Sequence, residues 1–273
     1  MGDLCAFGID VGSATVKIVG VDEQGNLEWY LLEPADARVE QQVERFLARA
    51  GEAGAGNPAA VPTPVPLVAT GYGRKLVRQA SGVVTEITCH AKGVFRELQQ
   101  GGTLVDIGGQ DSKVISIGTH GEVLDFAMND KCAAGTGRFL ENAARRLDLP
   151  LERLGPVALA SAEEVTLSST CTVFAESEVV SLLAHGVPVE PIVRGLHRSL
   201  IKRVVAMIRS VGLRRPLMLS GGVVQNPAIV RLLQEETGEE ILLPHHPQLM
   251  GAYGAALVAL ESGNSGRFTG GKE

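Results

Sequence analysis

The chain has 273 residues, of which 45% are hydrophobic, and this is enough for a substantial core divided between two lobes of ordinary domain size. Its 25 Lys and Arg residues face 31 Asp and Glu residues, giving a net charge of -6 without a long run of one sign, so nucleic-acid binding is not expected. The start lacks the basic region of a signal peptide, and no apolar run approaches the ~18 residues that a membrane span needs. Four widely spaced cysteines do not suit a secreted disulfide framework, so we expect a soluble protein of the reducing cytoplasm.

A β-hairpin that is used twice is the first element that the sequence predicts. The segment IDVGSATVKIVGVDEQG, residues 9–25, aligns without gaps on VDIGGQDSKVISIGTHG, residues 105–121. In each copy an apolar strand ends in Asp-x-Gly, a tight polar turn follows, and a second alternating strand leaves the turn. The charged residues that match in the two copies are Asp10 with Asp106 and Lys17 with Lys113.

The turn of each hairpin has the composition of a phosphate-binding loop. Glycine lets the backbone approach a phosphate closely, and successive N–H groups can point at its oxygens. An Asp at the end of the preceding strand repels phosphate directly but can hold hydrated Mg²⁺ against it. One copy alone is explained equally well as an ordinary hairpin turn. Two copies in register favour a pair of loops that grip a polyphosphate from both sides.

The remaining elements alternate, which predicts an α/β fold with hairpins embedded in mixed sheets. Helices are expected near residues 37–50, 74–80, 86–99, 137–147, 176–184, 188–211, 227–237 and 249–262. Strands are expected at VPLVAT and PLMLSG, and residues 51–66 are expected to form a flexible surface insertion. After PLMLSG, a glycine pair and then Asn226-Pro227 provide a strand, a glycine turn and a helix N-terminus, which suit a nucleotide.

Longer motifs carry a resemblance to a known superfamily. The duplicated DVGSATVK and DIGGQDSK, with the later SGGVVQNP, resemble the two phosphate loops and the adenosine loop of the actin, Hsp70 and sugar kinase superfamily. Within it, one branch has motifs similar to TGYGR, TEITCHAKG, NDKCAAGTGRFLE, STCTVFAESEVVSL and PHHPQLMGAYGAAL. That branch is the activating ATPases of 2-hydroxyacyl-CoA dehydratases, with the ATPase subunits of benzoyl-CoA reductases as relatives. The resemblance runs from about Phe7 to about Ala259.

The resemblance implies a two-lobed actin-like ATPase (ribonuclease H-like) fold with a nucleotide cleft between the lobes. Residues 1–98 and 247–273 would form the first lobe, with the C-terminal helix, and residues 99–246 the second lobe, with the cluster cysteines. Asp10 and Asp106 would flank Mg²⁺, usually through water. The other residues implied to contact ATP or ADP are Gly12, Ser13, Ala14, Thr15 and Lys17 in the first loop, Gly108, Gly109 and Gln110 in the second, and Gly221, Gly222, Gln225 and Asn226 in the adenosine loop.

Two roles stay open in this implied site. Gln110 and Asp111 are alternative candidates for positioning the attacking water. Lys17 and Lys113 either contact phosphate or only cap the hairpins, and the second reading is favoured.

Cys132 and Cys171 are the candidate metal ligands. Spacing alone favours two small buried hydrophobes over a zinc or ferredoxin site. Both residues, however, lie near predicted helix N-termini, where free N–H groups favour a thiolate. Two thiolates cannot complete a four-iron four-sulfur cluster, but a twofold-symmetric dimer offers four. Members of the resembled family share one such cluster between two identical subunits through cysteines at these motif positions, whereas Cys5 and Cys89 do not match and are expected in the core.

The resemblance implies a reductive activator. It would receive one electron from ferredoxin or flavodoxin and pass it, with ATP hydrolysis, to an iron-sulfur partner, with a 2-hydroxyacyl-CoA dehydratase, a benzoyl-CoA-type reductase or a double-cubane cluster protein as the candidates. Such a shared, exposed cluster would be sensitive to oxygen. The alternatives are a small-molecule kinase of the same superfamily, for which no general base stands out between the phosphate loops, and a noncatalytic actin-like ATP switch.

Overall fold

The computed structural model describes residues 3–54, 65–167 and 172–265. Cys171 and most of the insertion expected at 51–66 therefore lie outside the described residues. The chain divides into two compact units. Met1–Gln100, Gly121–Val123 and Gln248–Glu273 form the first, and Gly101–His120 and Leu124–Pro247 form the second. Within the described ranges, no helix combines the length and the apolar character that crossing a membrane would require.

Strands and helices alternate along the chain. The strands are β1 (Ala6–Val11), β2 (Thr15–Val21), β3 (Leu27–Pro34), β4 (Leu67–Thr70), β5 (Gly82–Val83), β6 (Gly102–Ile107), β7 (Ser112–Ile117), β8 (Val123–Asn129), β9 (Leu217–Ser220) and β10 (Ile241–Leu242). The α-helices are α1 (Val39–Gly54), α2 (Glu86–Leu98), α3 (Gly137–Arg146), α4 (Leu154–Ala160), α5 (Thr172–Ala184), α6 (Val189–Val211), α7 (Pro227–Thr237) and α8 (Met250–Ser265). These elements confirm the predicted α/β class.

The two sheets have the same topology. Each has five strands, in the orders β3-β2-β1-β4-β5 and β10-β9-β6-β7-β8. In the first sheet β1 pairs antiparallel with β2 and parallel with β4. In the second sheet β6 pairs antiparallel with β7 and parallel with β9. The predicted hairpin is therefore present twice, and the first strand of each copy occupies the centre of its sheet.

The central strands are buried along their whole length, which explains their apolar composition. Every residue of AFGIDV in β1 and of GTLVDI in β6 is buried. Each strand holds one charged residue, Asp10 in β1 and Asp106 in β6. Because a buried carboxylate is costly without a partner, these positions need compensating groups close by.

Close packing fixes these strands against the helices. In the first unit, a side chain at Gly8 of β1 would overlap the carbonyl oxygen of Ala252 in α8. Glycine at position 8 therefore lets α8 lie directly on the strand. In the second unit, α6 is 23 residues long and packs against the sheet core through an apolar face that includes Ile192, Leu196 and Leu200.

Three local expectations are wrong. The helix expected at 74–80 is only a single 3-10 turn, Arg74–Leu76, because Val77 has a non-helical backbone (φ -88°, ψ 82°) and the chain continues to β5. Helix α4 was not expected at all. Cys5 precedes β1 and is half-exposed instead of lying in the core, whereas Cys89 of α2 is buried as expected.

Candidate functional site

The first hairpin places an ammonium group on a buried carboxylate. The β1–β2 register sets Asp10 directly opposite Lys17. The Lys17 Nζ lies 3.0 Å from Asp10 Oδ2, and the Asp10 residue is only 4% exposed. Gly12 N donates to Thr15 O at 3.1 Å and closes the turn. Ser13 and Ala14 lie within this turn, and Ala14 O accepts a hydrogen bond from Ala35 N.

The second hairpin repeats this geometry and adds a carboxylate. Asp106 is directly opposite Lys113, and Gly108 N donates to Asp111 O at 2.9 Å. The Lys113 Nζ lies 3.4 Å from Asp106 Oδ2 and 2.7 Å from Asp111 Oδ2, with 2% of the lysine side chain exposed. Since two carboxylates share one buried ammonium group, removal of the lysine would leave strongly unfavourable charges. Both lysines thus pair with the hairpin carboxylates.

The parallel strands add a hydroxyl residue beside each carboxylate. The register sets Thr70 of β4 next to Asp10 and Ser220 of β9 next to Asp106. Ser220 Oγ donates to Asp106 Oδ1 at 2.8 Å. This correspondence was not predicted, although in the sequence each apolar run is followed by a hydroxyl residue and a glycine, Thr70-Gly71 and Ser220-Gly221.

The glycines after these strands are required by backbone geometry. Gly71 has φ +88° and Gly221 has φ +95°, both in the left-handed region that favours glycine. A side chain at position 71 would collide with the Asp10 carboxylate, and one at position 221 would collide with the Ile107 carbonyl oxygen. Glycine at position 71 therefore keeps the space beside the Asp10 carboxylate clear, and glycine at position 221 lets the chain pass close to the backbone of Ile107.

The two candidate water-positioning residues differ in exposure. Gln110 is exposed at the tip of the second hairpin, whereas Asp111 is half-buried and ion-paired with Lys113. The choice between them stays a prediction.

The candidate adenosine loop is anchored by Asn226. A 3-10 turn, Gly222–Gln225, follows β9 and Gly221, and α7 begins next. Asn226 Oδ1 accepts from Ala228 N at 3.1 Å and so caps α7. Its Nδ2 lies 2.9 Å from His197 Nε2. The side-chain amide therefore bonds within the protein, and its predicted role toward adenosine stays a prediction.

His197 of α6 completes this anchor and was not identified from the sequence. Its Nδ1 lies 2.7 Å from Val193 O. Burial lowers the pKa of His197. The neutral ring then donates from Nδ1 to the carbonyl and accepts at Nε2 from the Asn226 amide.

The loop between β8 and α3 carries Cys132. Asn129 Nδ2 donates to Cys132 O at 2.9 Å and to Ala134 O at 3.0 Å, and Gly135 has φ +94°. The Cys132 thiol is half-buried and not in a disulfide. Arg203 Nη1 of α6 lies 3.9 Å from Cys132 Sγ. A cation therefore faces this sulfur, although no cluster of three or more His, Cys, Asp or Glu side chains suited to a metal occurs among the described residues.

The first amides of α3 bind the second hairpin. Gly137 N donates to Gly108 O at 2.9 Å, and Arg138 N donates to Gly109 O at 2.8 Å. Phe139 N bonds within its own turn to Thr136 O. The expectation that free N–H groups of this helix favour a Cys132 thiolate is thus corrected, because these amides are occupied.

Gly137 also lies against the candidate adenosine turn. A methyl group at this position would lie 3.1 Å from Val223 Cγ2 and 3.2 Å from Gly108 O. The start of α3 therefore contacts both nucleotide-binding candidates of the second unit, and the same helix follows the Cys132 loop.

Comparison with known proteins places these features in one family. Residues 7–259 match the BadF/BadG/BcrA/BcrD ATPase family. The chain is 46% identical over 195 residues to the 2-hydroxyisocaproyl-CoA dehydratase activator of Clostridioides difficile, covering 71% of this chain and 73% of that protein. The fold is similar to the solved structure of the activator of the 2-hydroxyisocaproyl-CoA dehydratase from Clostridium difficile with bound ADPNP, with a TM-score of 0.85, 36% identity and 98% of each chain covered. It is also similar to component A of the Acidaminococcus fermentans (R)-2-hydroxyglutaryl-CoA dehydratase, with a TM-score of 0.87 and 36% identity over 95% of this chain and 98% of that chain. The chain therefore belongs to the BadF/BadG/BcrA/BcrD ATPase family.

Proposed function

We propose that this protein is an iron-sulfur ATPase that couples ATP hydrolysis to the transfer of one low-potential electron and so reductively activates an iron-sulfur partner enzyme. The observation that carries this proposal is the pair of hydrogen bonds from Gly137 N and Arg138 N to the carbonyls of Gly108 and Gly109. They join a phosphate-binding candidate to the helix that follows Cys132.

The nucleotide is proposed to be ATP or ADP with Mg²⁺. The residues present fit this ligand, because Asp10 and Asp106 supply the oxygen ligands that Mg²⁺ prefers, and the positive-φ glycine at position 71 keeps side chains away from the Asp10 carboxylate. The glycine-containing turns at residues 12–15 and 108–111 would present backbone N–H groups to the phosphates. The solved activator from Clostridium difficile, to which the chain is similar, contains ADPNP.

Cys132 and Cys171 are proposed to hold one four-iron four-sulfur cluster together with the same residues of a second subunit. Cys132 fits this role because it is half-buried, is not in a disulfide and has the guanidinium Nη1 of Arg203 at 3.9 Å from its sulfur. When bound, the cluster would supply a one-electron carrier. Cys171 lies outside the described residues, so its part in the site rests on the family motif.

The coupling is proposed to run through the second unit. Loss of the terminal phosphate would change the backbone position of Gly108 and Gly109, and the α3 amides bonded to those carbonyls would follow. The start of α3 has little room to move independently of these loops, because even a methyl group added at Gly137 would lie 3.1 Å from Val223 Cγ2 and 3.3 Å from Gly109 Cα. Asn129, which binds both Cys132 O and Ala134 O, would keep the loop intact while it moves.

The partners follow from the relatives. A ferredoxin or flavodoxin is proposed as the electron donor, and a 2-hydroxyacyl-CoA dehydratase as the acceptor, since relatives are activators of such enzymes. A benzoyl-CoA-type reductase or a double-cubane cluster protein would fit the same chemistry. The setting proposed is an anaerobic cytoplasm, because a shared interface cluster would be sensitive to oxygen.

Metal analysis of anaerobically purified protein tests the proposal. The dimer should contain about four irons, and Cys132→Ala should lose them while it still binds ADP. Cys5→Ala is the matched control, because Cys5 is also a half-exposed thiol but lies outside the motif, and it should keep full iron. Full iron content in Cys132→Ala would overturn the assignment. An iron-free protein whose ATP turnover rises with a sugar would instead identify a small-molecule kinase.

A further inference from the structure

We propose that Arg203 is a positioning residue for the Cys132 sulfur and stabilises the reduced form of the cluster bound there. This inference rests on the proposed function, and it adds the positive group that sets the cluster's reduction potential. Arg203 belongs to α6, far along the chain from Cys132, and no motif that carries the family resemblance includes it.

The placement of Arg203 is specific. Its Nη1 lies 3.9 Å from Cys132 Sγ. Its Cβ and Cδ lie 3.6 Å from the point that a side-chain carbon of Gly135 would occupy. The arginine stem therefore lies alongside Gly135 of the Cys132 loop, and its guanidinium group reaches the sulfur of Cys132.

Helix α6 holds the arginine in place. Its neighbours Val204 and Val205 are buried, and Leu200 and Ile201, one turn earlier, are also part of the core of the second unit. Because the helix backbone is fixed by this packing, ordering the arginine costs less conformational entropy than it would on a surface loop.

The N-terminal amides of α3 are another candidate source of positive potential for Cys132, but they already donate hydrogen bonds to other groups. The first amides of α3 donate to Gly108 O, Gly109 O and Thr136 O. Those N–H groups satisfy carbonyl oxygens and cannot also point at a cysteine sulfur. The guanidinium group of Arg203, by contrast, lies within 3.9 Å of Cys132 Sγ.

A fixed positive charge has a defined effect on a redox centre. Reduction adds one electron to the cluster, so a nearby cation stabilises the reduced state more than the oxidised state. Arginine supplies such a charge on a planar guanidinium group. Removal of the charge should therefore shift the midpoint potential in the negative direction.

The test compares the redox midpoint of the cluster in three variants of the anaerobic dimer, followed by electron paramagnetic resonance. Arg203→Gln should bind iron but lower the equilibrium constant for one-electron reduction about tenfold, which corresponds to about 59 mV. Arg203→Lys keeps the charge on a different head group and should recover part of the shift. Lys202→Gln removes an equal charge from the adjacent, exposed position of α6 and should leave the potential unchanged.

Each outcome bears on the inference. An unchanged midpoint in Arg203→Gln with full iron would overturn the role of Arg203 while leaving the proposed function intact. Loss of iron in Arg203→Gln, with ADP affinity retained, would also support the positioning role, because it would show that the Cys132 sulfur needs Arg203 in order to bind iron. Loss of both iron and ADP binding in Arg203→Gln would overturn it in favour of a structural role. A wild-type dimer without iron would overturn the proposed function and this inference together.

Discussion

Lys17 in the first hairpin pairs with Asp10, whereas Lys113 in the second pairs with both Asp106 and Asp111. The strand order, the register of the charged pair and the positive-φ glycine after the parallel strand are otherwise the same in both units. The second hairpin also receives hydrogen bonds from Ser220 and from the start of α3. The shared strand order and hairpin register hold one carboxylate at the end of a buried strand in each unit. The additional hydrogen bonds from Ser220 and the start of α3 occur in the unit that carries the Cys132 loop.

The lysines should give the largest difference between the two units. Lys113→Met leaves two carboxylates without their ammonium group and should lower the free energy of unfolding by about 3–5 kcal/mol. Lys17→Met removes one charged hydrogen bond from a less buried pair and should cost about 1.5–3 kcal/mol. Urea unfolding followed by circular dichroism measures both, and Trp29, the one tryptophan of the chain, reports separately on the first unit. Equal losses would show that the two hairpins are energetically equivalent.

The hydroxyl residues provide a second contrast. Ser220→Ala removes a hydrogen bond to a buried carboxylate and should cost about 1.5–3 kcal/mol. No hydrogen bond joins the hydroxyl of Thr70 to Asp10 among the described residues, so Thr70→Val should cost less. Thermal unfolding of the two variants side by side decides the point, and a larger loss for Thr70→Val would contradict the comparison.

Gly137→Ala tests the connection between the second hairpin and α3. The added methyl group would meet Val223, Gly108 and Gly109 at 3.1–3.3 Å, and such overpacking costs about 1–3 kcal/mol. The difference in the cluster's paramagnetic resonance spectrum between the ADP-bound and ATP-analogue-bound forms should shrink.

The matched control for this variant is Gly51→Ala. A side chain at Gly51 of α1 has nothing within 4 Å, so this change should stabilise the helix by about 0.5–1 kcal/mol and leave the spectrum alone. A nucleotide response in Gly137→Ala as large as that of the wild type would exclude the proposed route.

The smallest effect concerns His197, which anchors the candidate adenosine turn of the second unit. Because burial lowers its pKa, the folded state keeps the ring neutral while the unfolded state takes up a proton near pH 6.5. The free energy of unfolding should therefore fall as the pH is lowered below about 6.5, and the loss should end at the pKa of the folded state. Urea titrations across this range measure the slope.

Variants separate His197 from the other histidines. His197→Gln should flatten the dependence, whereas His246→Gln, at an exposed position, should leave it unchanged. A slope that survives in His197→Gln would assign the effect to another group.

The sequence predicted the parts of the site that are local in the chain. The hairpin repeat was visible because Asp10 and Lys17 are separated by one turn, and the register of the copies fixed their partners. The Cys132 loop was placed correctly before a helix because glycines and a polar turn mark its end. The local sequence pattern also gave one wrong prediction. The polar segment after Gly73 was expected to form a helix, but it forms a single 3-10 turn and the chain then returns to the sheet.

Contacts between distant segments could not be predicted. Arg203 meets Cys132, and His197 meets Asn226, across long separations that no periodicity encodes. The pairing of Thr70 with Asp10 and of Ser220 with Asp106 depends on which strand lies beside the hairpin, and that is decided by packing in three dimensions. The hydrogen bonds from the α3 amides to the carbonyls of Gly108 and Gly109 also depend on three-dimensional packing. They occupy the N–H groups that the sequence pattern had suggested were free to favour a Cys132 thiolate.

Helix α6 carries His197 at the adenosine turn and Arg203 at the Cys132 loop, within one uninterrupted run of 23 residues. A helix rises about 1.5 Å per residue, so the two side chains are separated by less than two turns of one stiff element. The candidate adenosine turn and the Cys132 loop of the second unit are therefore both in contact with one continuous helix. A substitution that tilts α6, even one that touches neither end, should disturb nucleotide affinity and cluster potential in the same variant.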